Sequence, residues 1–216
     1  MRVLLVVAAC AAVALVGAHL RGDPGLATSG TPEISAEDRA AGVRFAPEVA
    51  ADDRAWIQAA MQSARPEAQR LIAEVDGLVE MRTDLPHTPA IGLAELSSNG
   101  AIVRFDLRSL NYDRALDRNV VVLHELGHVI DHFLVSDELV HELDRGIPRV
   151  GTCPADSPLP TGACTSVQER FADTFAKWAL RGRISLAGSG YGIPAPVSIE
   201  DWGAPLGRLA VQLSAR

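Results

Sequence analysis

Apolar residues recur every three to four positions over Trp56, Ile57, Ala60 and Met61, and again over Leu71, Ile72, Val75, Leu78 and Val79. That period belongs to amphipathic helices, and Pro66 suits the first turn of the second one. The pattern predicts two helices between Glu48 and Met81. The period then shortens. Segments Ile91–Leu96 and Ala101–Leu107 flank Ser97-Ser98-Asn99-Gly100, and Val103, Phe105 and Leu107 alternate with Arg104 and Asp106. Alternation on both sides of a polar turn predicts a β-hairpin with one solvent-facing side.

From Asp117 to Leu134 the chain is apolar nearly all round, through Val120–Leu123, Leu126, Val129, Ile130 and Phe133. Such a helix is central and buried. Ser136 caps a shorter helix ending near Gly146, a further helix is expected over Ser166–Arg181, and Ser198 opens the last one. Several helices and one β-hairpin in a single chain make the expected fold α+β with a mostly helical remainder.

The termini of this pattern bear on location. Val3–Ala18 is an almost unbroken apolar run behind Met1-Arg2. It is slightly longer than a secretory core of roughly 7–15 residues and shorter than a bilayer span of roughly 20. Gly17-Ala18 followed by the turn-rich His19–Gly25 favours a cleaved signal peptide over an anchor. Either way the chain is expected to be secreted or extracytoplasmic, with a membrane association only if residues 3–18 stay uncleaved. Residues 19–47 read as an extended leader or linker, with a propeptide role open, and 48–216 as the folded domain. In an oxidising compartment Cys153 and Cys164, ten residues apart in a Pro/Gly/Ser/Thr-rich loop, are expected to pair.

Composition narrows the class. With 216 residues, 48% apolar and 22% charged, the chain supports one core and a short appendage. Acidic residues outnumber basic ones 27 to 20, and no Lys/Arg run exists to neutralise phosphates. A dedicated nucleic-acid binder is therefore disfavoured. A monomer is the expected state.

The central helix carries His124-Glu125-Leu126-Gly127-His128. Four helical residues turn the chain about 400°, so the two imidazoles share one face, and Glu125 lies about 100° round from His124. Two neutral imidazoles suit Zn²⁺, which in catalytic sites takes three protein ligands and leaves a position for water or substrate. The apolar surroundings strengthen this reading, because an unpartnered buried polar group costs roughly 1–3 kcal/mol and a metal supplies the partner. Asp131 and Leu134 stand where a metzincin would have Gly and a third His, which excludes that pattern. Further along, Glu169 and Asp173 offer two carboxylates at i and i+4. Glu169 is the first candidate for the third ligand. Two alternatives stay open: Glu169 completes a Ser166-Val167-Gln168-Glu169 capping box and bonds only the Ser166 amide, or Asp173 is the ligand. Asp131 and His132 read as packing or supporting residues.

With the two histidines before it, the Glu169-x-x-x-Asp173 arrangement resembles the gluzincins, the thermolysin-like clan of zinc peptidases. The segments His124–Asp131 and Glu169–Phe175 are most similar to lethal-factor-like peptidase domains. The resemblance implies a zincin-like fold whose sheet lies over the active-site helix and whose edge strand receives an extended peptide. It also implies that Glu169 ligates zinc and that Asp173 hydrogen-bonds a ligand histidine. The implied activity is a zinc-dependent endopeptidase acting on a peptide or protein substrate, with Glu125 as general base. Lethal-factor-like domains place a Tyr shortly before the third ligand, whereas no Tyr lies between Leu126 and Glu169 here. Tyr191, on a glycine-rich stretch, is the candidate oxyanion donor, with packing on the core as its alternative role; His141 is a second candidate. A different class of function is an exported, non-catalytic binding or inhibitory module stabilised by zinc. That reading needs a fourth protein ligand and gives Glu125 no role.

Overall fold

The computed structural model describes residues 43–85, 90–112, 117–149, 164–183 and 192–216. Its four strands are β1 (Arg44–Phe45), β2 (Val79–Arg82), β3 (Gly92–Ser97) and β4 (Gly100–Phe105), in the spatial order β1-β2-β4-β3. β1 and β4 run parallel to β2, while β3 runs antiparallel to β4 with Ala94 opposite Val103. The described residues thus form an α+β fold with a small mixed sheet. β4 lies inside the sheet and β3 at its edge.

Seven α-helices accompany the sheet among the described residues: α1 (Ala51–Ser63), α2 (Pro66–Glu74), α3 (Leu107–Tyr112), α4 (Arg118–Leu134), α5 (Asp137–Arg145), α6 (Val167–Ala179) and α7 (Ile199–Ser214). Four of them begin at a side-chain cap that satisfies an orphan amide. Asp117 accepts from Asn119 N–H, Ser136 from Leu139, Ser166 from Glu169 and Ser198 from Asp201. α4 is the axis of the core. Val122, Leu123, Leu126, Val129 and Ile130 are fully buried, and the helix packs against α1, α6 and β3.

Three boundaries differ from the pattern-based expectation. The second helix stops at Glu74, a 3-10 turn covers Asp76–Leu78, and Val79–Arg82 becomes β2. Val79 and Met81 are buried there while Glu80 and Arg82 are half-buried, a strand alternation hidden behind the preceding helical period. The end of the expected leader supplies β1. Leu107 starts α3 rather than ending the strand, because Asp106 Oδ1 accepts from the amides of Arg108 and Ser109 and turns the chain. No helix among the described residues is long and apolar enough to cross a membrane. Residues 1–42, including the apolar run Val3–Ala18, lie outside the described residues, as do Cys153 and Tyr191.

Candidate metal centre

Helical spacing stacks the two imidazoles of α4. The ring centroids of His124 and His128 lie 4.9 Å apart with planes at 84°. Opposite them α6 presents Glu169, whose Oε2 lies 3.1 Å from His124 Nε2 and whose Oε1 lies 3.4 Å from His128 Nε2. One ligand atom from each residue falls within 4.8 Å of the others. This buried His–His–Glu group could hold a metal ion. All three are under a tenth exposed, so solvent does not satisfy them. Among the described residues His128 Nε2 finds no well-formed hydrogen bond, a buried nitrogen of the kind a metal would occupy.

The close approach of the two helices has a local cause. Gly127, between the histidines, faces Ala172 of α6, and a Cβ at 127 would lie only 2.9 Å from the Ala172 Cα. Two small residues let the backbones meet and bring Glu169 within reach of both rings. The capping-box alternative is resolved in part. Ser166 Oγ accepts from the Glu169 amide at 3.2 Å, but the Glu169 carboxylate turns to the histidines. Asp173 lies one turn further along α6 and outside the ligand group. Its Oδ2 accepts from Lys177 Nζ, and its charge acts on His124 and Glu169.

Glu125 points to the sheet. The Ala94 backbone amide of β3 favours the charged form of its carboxylate. Gly92 makes room for it, since a Cβ there would stand 2.4 Å from Glu125 Oε1. Its Oε2 is buried and has no hydrogen-bond partner among the described residues. Burial pushes the Glu125 carboxyl above its ordinary range, against the pull of the two histidines. Burial also opposes charging His128, but the Glu169 carboxylate prevails and raises it to about 9. Glu169 is held well below the usual carboxylate range by His128 and His124, despite its own burial.

The chain matches no protein-family model, no curated protein and no solved structure. The site is therefore read from its own chemistry. Of the two hairpin strands it is not Ala101–Leu107 that offers a free edge at the site: β4 is paired on both sides, and the neighbours of Glu125 are Gly92 and Ala94 of β3. His132 is exposed and its Nε2 lies 3.2 Å from the Ser97 carbonyl oxygen, while buried Asp131 acts on His128 through its charge. His141 is exposed on α5. Sequence reasoning missed Gly92, Ala94 and Lys177. A glycine inside a strand pattern was the available signal for the first, since it often marks close approach of another group.

Proposed function

We propose that the chain is an exported zinc-dependent endopeptidase of gluzincin type, cleaving peptide or protein substrates. The observation that carries this reading is the pairing of a buried three-ligand group with a separate carboxylate, Glu125, whose free oxygen is unpartnered. A structural metal needs no such carboxylate and takes a fourth protein ligand, whereas the ligand group among the described residues has three.

His124, His128 and Glu169 would hold the ion. Zinc in such a setting supplies a Lewis acid that brings the pKa of a bound water toward about 7 and polarises a carbonyl. Glu125 takes the proton of the attacking water and returns it to the leaving amine. A carboxyl raised by burial holds a proton more readily than an ordinary one, which suits a group that must accept it from water. β3 supplies the platform. Among the described residues its far side is not paired to another strand, so an extended substrate would add to that edge by main-chain hydrogen bonds and place alternate side chains in pockets. Tyr191 remains the candidate oxyanion donor from the sequence.

The test is a comparison of wild type with Glu125→Gln on a general peptide library, with zinc content measured in both. Glu125→Gln is expected to keep one zinc and lose hydrolysis. Equal turnover in the two proteins removes the general-base role, and wild type free of both zinc and hydrolysis removes the reading.

A further inference from the structure

Lys177 is the only lysine of the chain, and it is 1% exposed on the helix that carries Glu169. α6 places Glu169, Asp173 and Lys177 at successive turns, a line of charged side chains on a helix buried from Glu169 to Ala179. A lysine serving only helix stability keeps its head in water, as its long stem allows. Here the head is turned inward. Its ammonium donates to Asp173 Oδ2 and to the carbonyl oxygen of Ile193, on the segment that leads into α7. Burying an ammonium is costly unless it is paired and hydrogen-bonded, and both conditions are met by these two acceptors.

We propose that Lys177 is a positioning residue for the metal centre: clamped by the Ile193 carbonyl, its ammonium fixes the Asp173 carboxylate where that group acts on His124. The inference rests on the metal-site reading above. The Ile193 carbonyl is a backbone acceptor on a residue that is itself 1% exposed, so it is a fixed anchor. With Oδ2 committed to Lys177, the Asp173 carboxylate cannot rotate freely. Asp173 stands one helical turn beyond ligand Glu169 and its charge acts on His124, and losing a supporting group of this kind typically weakens metal binding by about 10–100-fold.

The test uses the secreted full-length protein as wild type, Lys177→Met, Asp173→Asn and the pair variant. Zn²⁺ and Co²⁺ affinities are measured by chelator competition, and the visible spectrum of the Co²⁺-loaded forms is recorded. Lys177→Met is expected to bind about 10–100-fold more weakly and to shift the Co²⁺ spectrum. Asp173→Asn should do the same, and the pair variant should lose no more than Asp173→Asn alone, because Lys177 acts through Asp173. The pair leaves no unpaired buried charge, so it carries the test if Lys177→Met does not fold. Wild-type affinity and spectrum in Lys177→Met, or a pair variant that binds more weakly than Asp173→Asn, overturns the proposal. A wild type that binds neither ion overturns the metal-site reading as well, and the two failures are thereby distinguished.

Discussion

Gly127 presents its bare backbone to Ala172, and a Cβ at 127 would lie 2.9 Å from the Ala172 Cα and 3.2 Å from its Cβ. The atoms it would meet belong largely to the backbone of α6 and cannot swing aside. Intrinsic propensity favours Ala over Gly in a helix by roughly 1 kcal/mol. The packing argues the other way, since overfilling a tight contact typically costs about 1–3 kcal/mol. Gly127→Ala is therefore expected to destabilise the protein and, by pushing α6 away, to weaken metal binding. Denaturant midpoints and metal affinity check both; a more stable variant with unchanged affinity contradicts the helix-contact argument.

Gly92 tests the opposite side of the site. A Cβ there meets the end of a side chain, Glu125 Oε1 at 2.4 Å, which can move. Gly92→Ala should leave the fold and the metal in place while displacing the proposed base. The expected result is a fall in kcat with normal metal content. Wild-type kcat would mean that Glu125 does not work from this position.

The metal-free protein should lose stability as pH rises through the range in which the metal-loaded form gains it. His128 is raised from 6.5 to about 9, so its ion pair contributes fully below about 6.5 and is lost as pH climbs through 9. Glu169 is depressed from 4.5, so its contribution is present above that value and is lost in acid. Glu125, raised by burial, disfavours the folded state once it must ionise. Metal binding requires neutral imidazoles and displaces protons. The difference in thermal midpoint between zinc-loaded and chelator-treated protein should therefore widen from pH 6 to pH 8. A difference that stays constant or narrows contradicts this linkage.

Half of the loop chemistry concerns Cys164, whose expected partner Cys153 lies outside the described residues. Non-reducing peptide mapping of protein produced in an oxidising compartment is expected to find the two joined. Closing this loop would contribute roughly 3 kcal/mol in the chain-entropy model. Free thiols at both positions in that protein refute the pairing.

The metal side of the site was legible because helical period and ligand spacing coincide: four residues separate His124 from His128, and four separate Glu169 from Asp173. Glu169 was ambiguous because its amide donates to the Ser166 cap while its carboxylate reaches the histidines. β2 was hidden because Leu78 and Val79 continue the helical spacing of Val75 after the chain has already turned at Asp76–Leu78. The edge strand could not be chosen from alternation, since a hairpin has two outer sides and only the pairing of β4 with β2 closes one of them. Lys177 gave no signal at all. Four residues after an Asp, a lysine ordinarily marks a solvated helix face, and its inward turn depends on the Ile193 carbonyl from a distant segment.

The strand order β1-β2-β4-β3 carries a kinetic meaning. Among the described residues β3 reaches the sheet only through β4, and this favours an order in which the local β3–β4 hairpin forms first and then docks its later strand against β2. Hairpins close quickly because their ends are near in sequence, whereas parallel pairing across intervening chain is slow. Glu125 acquires Gly92 and Ala94 as neighbours only at that docking step, while the histidines and Glu169 depend on α4 meeting α6. The ligand trio and the surroundings of Glu125 are thus assembled by separate events. Nascent chains with α4 on α6 but the hairpin undocked would have their ligand trio in place before Glu125 meets the strand, so hydrolytic competence would arrive with the hairpin.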